Sequence, residues 1–303
     1  MSSQSRLDKV FNAAQRIPID DSSKIVLISD CHRGDGNWGD NFLNNQNLFF
    51  AALNFYYQKG FTYIELGDGD ELWENRRLDR IISIHSDAFW IMSKFYKEGR
   101  FYMLYGNHDH VKKDKDFAQK NLRSYYVERI RKRVALFPGI KIHEGLVLQY
   151  KNPNNLIFLT HGHQVDFLNY NLWKLSRFLV RYLWRPIELI GVRDPTSAAE
   201  NHKRKDKIEK KLVGWTKKRN HILIAGHTHR PVFPQADESL YFNDGCCVHP
   251  RCITALEIEN GLIILVKWAV RTRKDRSLYV DRVILEGPVK LQDYFGASLK
   301  QAK

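Results

Sequence analysis

Apolar residues in this chain gather into short runs rich in Val, Ile, Leu, Phe and Tyr, at Lys24–Ser29, Tyr63–Leu66, Phe101–Tyr105, Leu156–Thr160 and His221–Ala225. Runs of this length and composition predict buried β-strands. Between the first three lie stretches of helical length, Asn44–Gln58 and Leu78–Lys97. Strands alternating with helices predict an α/β fold, a sheet with helices packed on its faces.

The rhythm changes after His110. Phe117–Arg133 reads as a polar helix, and Ile140–Tyr150 and Leu156–Thr160 flank Asn152-Pro153-Asn154-Asn155, which predicts a hairpin. A second hairpin is expected from Ile253–Ile258 and Leu262–Trp268, joined through Glu259-Asn260-Gly261. Ser277–Leu285 adds a further strand, and the last dozen residues carry little signal. Asp166–Gly191 is dense in Leu, Trp, Phe and Tyr, and Lys203–Arg219 in Lys and Arg. Asp194-Pro195 has the form of a helix cap, and Ser197-Ala198-Ala199-Glu200 that of a capping box. Residues 166–219 therefore read as a helical insertion, or cap, within a single domain spanning 1–303.

Composition narrows the partners. The 303 residues include 48 Lys plus Arg against 34 Asp plus Glu, a formal charge of +14. Such an excess favours anionic partners: nucleic acid, a membrane surface or phosphorylated substrates. No uninterrupted apolar run reaches the length of a spanning helix. The N-terminus lacks a signal-peptide core, and Cys31, Cys246, Cys247 and Cys252 have no CxxC spacing. The expectation is a cytoplasmic protein with free thiols, peripheral at a membrane at most.

Chemistry-bearing residues follow the predicted strands. Asp30-Cys31-His32 ends the first, and alternation in extended chain would put Asp30 and His32 on one face and Cys31 on the other. Gly67-Asp68-Gly69-Asp70-Glu71 follows the second, with glycines that let a carboxylate approach a charge. Gly106-Asn107-His108-Asp109 follows the third: Asn107 offers a neutral oxygen, His108 a proton, and Asp109 a group to orient His108. His161-Gly162-His163 and Gly226-His227-Thr228-His229-Arg230 follow the last two. Each motif alone fits an ordinary turn. Together, five of the twelve histidines lie just past apolar strands, where sites form in α/β sheets, and a metal centre outweighs coincidence.

In this order the five blocks resemble the calcineurin-like metallophosphoesterase superfamily, over about residues 24–231. The resemblance implies a two-sheet sandwich flanked by helices, in α/β/β/α layers. It implies that Asp30, His32 and His229 bind one cation, that Asn107, His161 and His227 bind another, and that Asp68 bridges them. His108 would assist at the phosphoryl group or the leaving oxygen, and Glu71 would sit behind the ligands. Two cations about 3.5–4 Å apart can hold a bridging hydroxide for in-line attack on phosphorus. The oxygen and imidazole set suits Mn²⁺ first, with Fe or Zn²⁺ as alternatives. Gly67-Asp68, Glu71, Trp73 and Gly226–Pro231 are also similar to the UDP-diacylglucosamine pyrophosphohydrolases of lipid A synthesis. His163, His108 and Gly245-Cys246-Cys247 depart from that branch.

Lys174, Arg177, Arg181 and Arg185 recur at spacings that align them on a helix among Leu172, Trp173, Leu175, Phe178, Leu179, Tyr182, Leu183 and Trp184. Such a helix suits an anionic membrane surface, a lid over a lipid-like or phosphate-rich substrate, or plain packing with basic stems reaching outward. Lys174, Arg177, Arg181, Arg230 and His163 are candidates to touch substrate. The leading expectation is hydrolysis of a phosphoester or pyrophosphate. A nuclease or cyclic-nucleotide phosphodiesterase, a protein phosphatase and a non-catalytic scaffold remain alternatives, and nucleic acid remains a possible partner.

Overall fold

The structure, a computed structural model, describes residues 2–166, 169–170, 172–184 and 202–301. The strands are β1 (Gln15–Ile19), β2 (Ile25–Ile28), β3 (Thr62–Leu66), β4 (Phe101–Leu104), β5 (Ser124–Val127), β6 (Lys132–Ala135), β7 (Ile142–His143), β8 (Gly145–Tyr150), β9 (Leu156–Thr160), β10 (Ile222–Ala225), β11 (Tyr241–Asn243), β12 (Cys252–Glu259), β13 (Leu262–Thr272) and β14 (Leu278–Lys290). One sheet has the order β14-β13-β12-β2-β3-β4-β7, a second β1-β8-β9-β10-β11, and β5-β6 form a small ribbon. In the larger sheet β2, β3, β4 and β7 run parallel and β12, β13 and β14 pair antiparallel.

Alternation along β2 explains the layers. Leu27 meets Ile64, Leu66, Leu146, Leu148, Ile157 and Ile224 in a core shared by the two sheets. Val26 and Ile28 point the other way, onto α2 (Gln46–Gln58), α3 (Leu78–Ile84) and α4 (Ser86–Lys97). The outer face of the smaller sheet is covered by Leu7 and Val10 of α1 (Ser3–Ala13) and by Ile208, Leu212 and Trp215 of a late helix (His202–Arg219). Helix, sheet, sheet, helix is the expected layering. Strands buried on both faces need continuous apolar runs, which is why β2, β3, β9 and β10 were readable.

Several elements differ from expectation. The stretch Leu78–Lys97 is two helices, broken at His85, whose Nε2 is held 2.8 Å from Asp40. Phe117–Arg133 is not one helix. α5 (Lys115–Leu122) is capped by Asp114 and gives way to the β5–β6 ribbon, whose turn places Arg131 in left-handed backbone. The β-forming Tyr125-Tyr126-Val127 overrides the helical reading, with Tyr125 buried in the helix-side core. Ile140–Tyr150 splits at Glu144, giving β7 to one sheet and β8 to the other, where β8 pairs antiparallel with β9. The silent last residues form α8 (Leu291–Gln301), with Leu291, Tyr294 and Phe295 in the shared core.

Within the insertion, α6 (Trp173–Leu179) continues into a wider helical turn, Val180–Trp184, and α7 is the helix His202–Arg219. α7 buries Lys205, Ile208, Leu212, Trp215 and Thr216, so it packs on the sheet as well as presenting a solvated basic face. α6 buries nothing: Leu175 is 53% and Phe178 57% exposed. Arg185 and the capping signals at Asp194-Pro195 and Ser197–Glu200 lie outside the described residues. Among the described residues, no helix is long and apolar enough to cross a membrane.

Candidate metal centre

The loops leaving β2, β3, β4, β9 and β10 converge because their backbones lock together. The amides of Asp30, His32 and Arg33 donate to the carbonyls of Gly67, Asp68 and Gly69, and Gly226 N donates to His161 O. Asp30, His32, Asp68, His227 and His229 all adopt left-handed backbone, with φ between 47° and 69°. Such backbone is uncommon outside glycine and costs on the order of 1–3 kcal/mol per residue, so it persists where surrounding structure enforces it. Alternation in extended chain is therefore not what brings Asp30 beside His32, or His227 near His229. Each pair lies past its strand, where left-handed turns set the side-chain directions. Cys31 is buried in the helix-side core, as expected, and all four cysteines are unpaired. Gly67, at φ +97°, permits the turn, and a Cβ there would come within 2.8 Å of Gly106 N.

Three groups of ligand atoms result, the atoms of each within 4.8 Å of one another. His32, Glu71 and His108 form one, around the Glu71 carboxylate. The other two, the first and second ligand groups, are Asp30, His32 and His229, and Asp68, His161 and His227. They lie side by side: Asp68 Oδ2 is 3.0 Å from His161 Nε2 and 3.9 Å from His32 Nε2. Asp30 Oδ1 is 3.0 Å from His229 Nε2 and 4.0 Å from His161 Nε2. Asn107 is fully buried, yet neither its oxygen nor its nitrogen has a hydrogen-bond partner. Asp30 Oδ1 and His161 Nε2 also lack a partner of good hydrogen-bond geometry. Buried polar atoms left so are rare, and cations would satisfy Asn107 Oδ1, Asp30 Oδ1 and His161 Nε2. His32 Nε2 and His229 Nε2, 3.3 Å apart, fit the same explanation. The residues fit divalent cations.

Groups behind the ligands fix their tautomers. Glu71 Oε2 accepts from His32 Nδ1 at 2.9 Å, and His161 Nδ1 donates to Leu66 O at 3.0 Å, leaving both Nε2 atoms as lone-pair donors. His108 Nδ1 lies 2.6 Å from the same Glu71 oxygen, and its ring stacks on Trp73 at 4.3 Å. Burial would raise the Glu71 carboxyl, but the His108 and His32 imidazoles hold it down at about 2. Asp68 follows the same balance: burial opposes its charge, and His161 and His108 keep it well below the usual carboxylate range.

Burial disfavours a charged His161, but Asp68 and Asp30 outweigh it and raise the imidazole to about 9. The sign gives a prediction. Without metal, the protonated His161 contributes stability fully present below about 6.5, the unfolded value, and lost as pH rises through 9. A cation must displace that proton, so apparent metal affinity should climb by about tenfold per pH unit between 7 and 9. Calorimetric Mn²⁺ titrations in two buffers of different ionisation enthalpy count the protons released. PH-independent uptake without proton release contradicts this balance.

Asp109 does not orient His108. Its carboxylate accepts from Gly106 N at 2.7 Å, Gly69 N at 3.1 Å and Lys112 Nζ at 2.7 Å. Lys112 also pairs with Asp70 at 2.7 Å, Asp70 with Arg33 at 2.7 Å, and Arg33 with Glu65 at 2.8 Å. This wholly buried network braces the Asp68 and Asn107 loops from behind. Burial disfavours a charged Lys112, yet Asp109 and Asp70 hold its ammonium above the ordinary value. Lys112→Met would leave buried Asp109 without a cation and Asp70 with Arg33 alone, and a loss of about 3–5 kcal/mol is expected in urea unfolding. A loss below about 1 kcal/mol would show that the network adds little.

The expected substrate contacts divide. Arg181 donates to Trp73 O and Leu72 O at 2.8 Å each, so it anchors α6 to the loop carrying Trp73. Arg230 is bound to Glu209 and Asp206 on α7. His163 is fully buried, with neither ring nitrogen partnered. Lys174 and Arg177 lie over the Trp173 ring, which stacks on His110. Asp166 and Ser29 were missed. Ser29 Oγ lies 2.5 Å from Asp30 Oδ2, and Asp166 lies 3.4 Å from His227. Neither stands in a motif with an obvious ligand spacing.

Comparison with known proteins gives the family. Residues 23–231, more than half of the chain, match the family model described as calcineurin-like phosphoesterase. No curated protein matches the chain. Among solved structures, the chain is similar to that of Chaetomium thermophilum Vps29 at 11% identity, covering 88% of this chain and 100% of that one, with a TM-score of 0.35.

Proposed function

This chain belongs to the calcineurin-like phosphoesterase family and is a metallophosphoesterase, and from that premise we propose that it hydrolyses phosphoester or pyrophosphate bonds at a binuclear centre. One observation carries the binuclear reading: two ligand groups stand side by side, with Asp68 facing both and the buried Asn107 amide unpartnered between chain segments that supply them. Asp30, His32 and His229 would hold one cation. Asn107, His161 and His227 would hold the other, and Asp68 would join them. Bound cations, Mn²⁺ in the first instance, supply Lewis acidity for the phosphoryl oxygens and an acidified water for attack.

The protein's own part is positioning and proton transfer. Glu71 orients His32 toward the ligand group and His108 toward the mouth of the site. The His108 side chain keeps 23% exposure, so its free ring nitrogen can face a leaving oxygen. Asp109 acts only through the loops it braces. The exposed apolar residues of α6 beside Lys174 and Arg177 favour a substrate with an apolar part next to its phosphate. They do not single out lipid A precursors, and His163 and Gly245-Cys246-Cys247 set the chain apart from that branch.

The test is a Mn²⁺-supplied panel of mono-, di- and pyrophosphate esters, each with short and acyl-chain leaving groups, plus DNA and RNA. Chelator-sensitive turnover is expected, faster on acyl-chain members. Anionic liposomes then separate a bilayer contact from a substrate contact. No turnover on any member, with metal bound, sinks the hydrolase reading.

A further inference from the structure

Behind the second ligand group lies a side chain that the chemistry above does not use. Asp166 ends the short helical turn His163–Val165 and is 6% exposed. Its Oδ2 accepts from Arg204 Nη2 at 2.7 Å and Nε at 3.1 Å, and lies 3.4 Å from His227 Nε2. The Arg204 guanidinium, seated on that one oxygen, pairs with it as a carboxylate. Arg204 stands in the first turn of α7, within the insertion. The same helix also reaches the loop after β10 that carries His227. Glu209 accepts from Thr228 Oγ1 at 3.3 Å and from Arg230 Nε at 3.0 Å, and Asp206 from Arg230 Nη2 at 3.2 Å.

We propose that Asp166 is a positioning residue for His227, and that Arg204 holds Asp166 in place, so that the insertion's helix α7 sets how tightly the Asp68–His161–His227 group binds its cation. The inference rests on the metal reading above. A carboxylate that accepts the Nε2 proton fixes the imidazole's tautomer and ring direction and leaves Nδ1 as the lone-pair donor. Glu71 does the same for His32 in the first group, with the ring nitrogens exchanged. The two groups therefore have separate supports, Glu71 from the β3 loop and Asp166 from the base of the insertion. Only the second depends on α7.

The separation makes the idea testable. Mn²⁺ titrations of the intact chain, followed by electron paramagnetic resonance, resolve weak and tight sites. In Asp166→Asn one site should weaken by about 10–100-fold and the other should keep its affinity. Arg204→Met should weaken the same site by a few-fold, with Arg204→Lys between it and the wild type. Imidazole ¹⁵N shifts should show one histidine losing a fixed tautomer in Asp166→Asn. A merely structural ion pair would instead lower the melting temperature equally with and without metal, and leave both affinities alone. That result, or equal weakening of both sites, overturns the proposal. If Asp166→Asn does not fold, unchanged affinities in Arg204→Met overturn it. A wild-type chain that binds no second Mn²⁺ would remove the binuclear reading itself, an outcome distinct from two native sites in Asp166→Asn.

Discussion

Asp68→Ala is expected to abolish turnover, by more than about 10³-fold, and to leave a folded protein that no longer loads its full complement of metal. Asp68 faces both ligand groups, at 3.0 Å from His161 and 3.9 Å from His32. Its other oxygen accepts from His108 N at 2.8 Å, so it also fixes the loop that carries Asn107. On the binuclear proposal, removing it would take a negative charge from between two cations and loosen Asn107. Asp68→Asn separates these effects. The amide oxygen can still accept from His108 N, so loop geometry should survive while charge does not. Metal content by elemental analysis and kcat with excess Mn²⁺ are the readouts, with circular dichroism as the check on folding. An alanine variant that stays active and metal-loaded would remove Asp68 from the mechanism, and the binuclear proposal with it.

The ligand residues were legible because they stand at the ends of strands whose apolar runs are continuous. β2, β3, β9 and β10 are buried on both faces, so their sequences announce both the strand and the point where it stops. The geometry at those ends was not legible. Five ligand candidates sit in left-handed backbone, which the interlocked loops enforce, so the rule for extended chain does not describe how these side chains come together. Asp109 shows the converse. Its place next to His108 suggested a partnership, but its carboxylate turns back to Lys112 and two glycine amides. Asp166 meets His227 and Arg204 from 61 and 38 residues away, and nothing local to it marks that meeting. The polar helix expected at Phe117–Arg133 failed because burial of Tyr125, a tertiary event, decided between helix and strand.

His108→Ala is expected to keep its metal and lose about 10²–10⁴-fold in kcat, the range for a positioned proton donor. The two halves of that statement have separate structural grounds. Metal should stay because Glu71 retains His32, its link to the first ligand group, when the 2.6 Å contact to His108 is gone. Turnover should fall because the Glu71 contact and the 4.3 Å stack on Trp73 aim the ring, and alanine leaves nothing there that can carry a proton. Choice of leaving group then distinguishes two roles. If His108 protonates the departing oxygen, an alkyl ester should suffer the full loss and a p-nitrophenyl ester, which leaves without help, only a small one. If His108 instead stabilises the phosphoryl group, both esters should slow by the same factor. Near-normal turnover on the alkyl ester would refute either role, and loss of metal from the variant would show that His108 supports the ligands rather than the reaction.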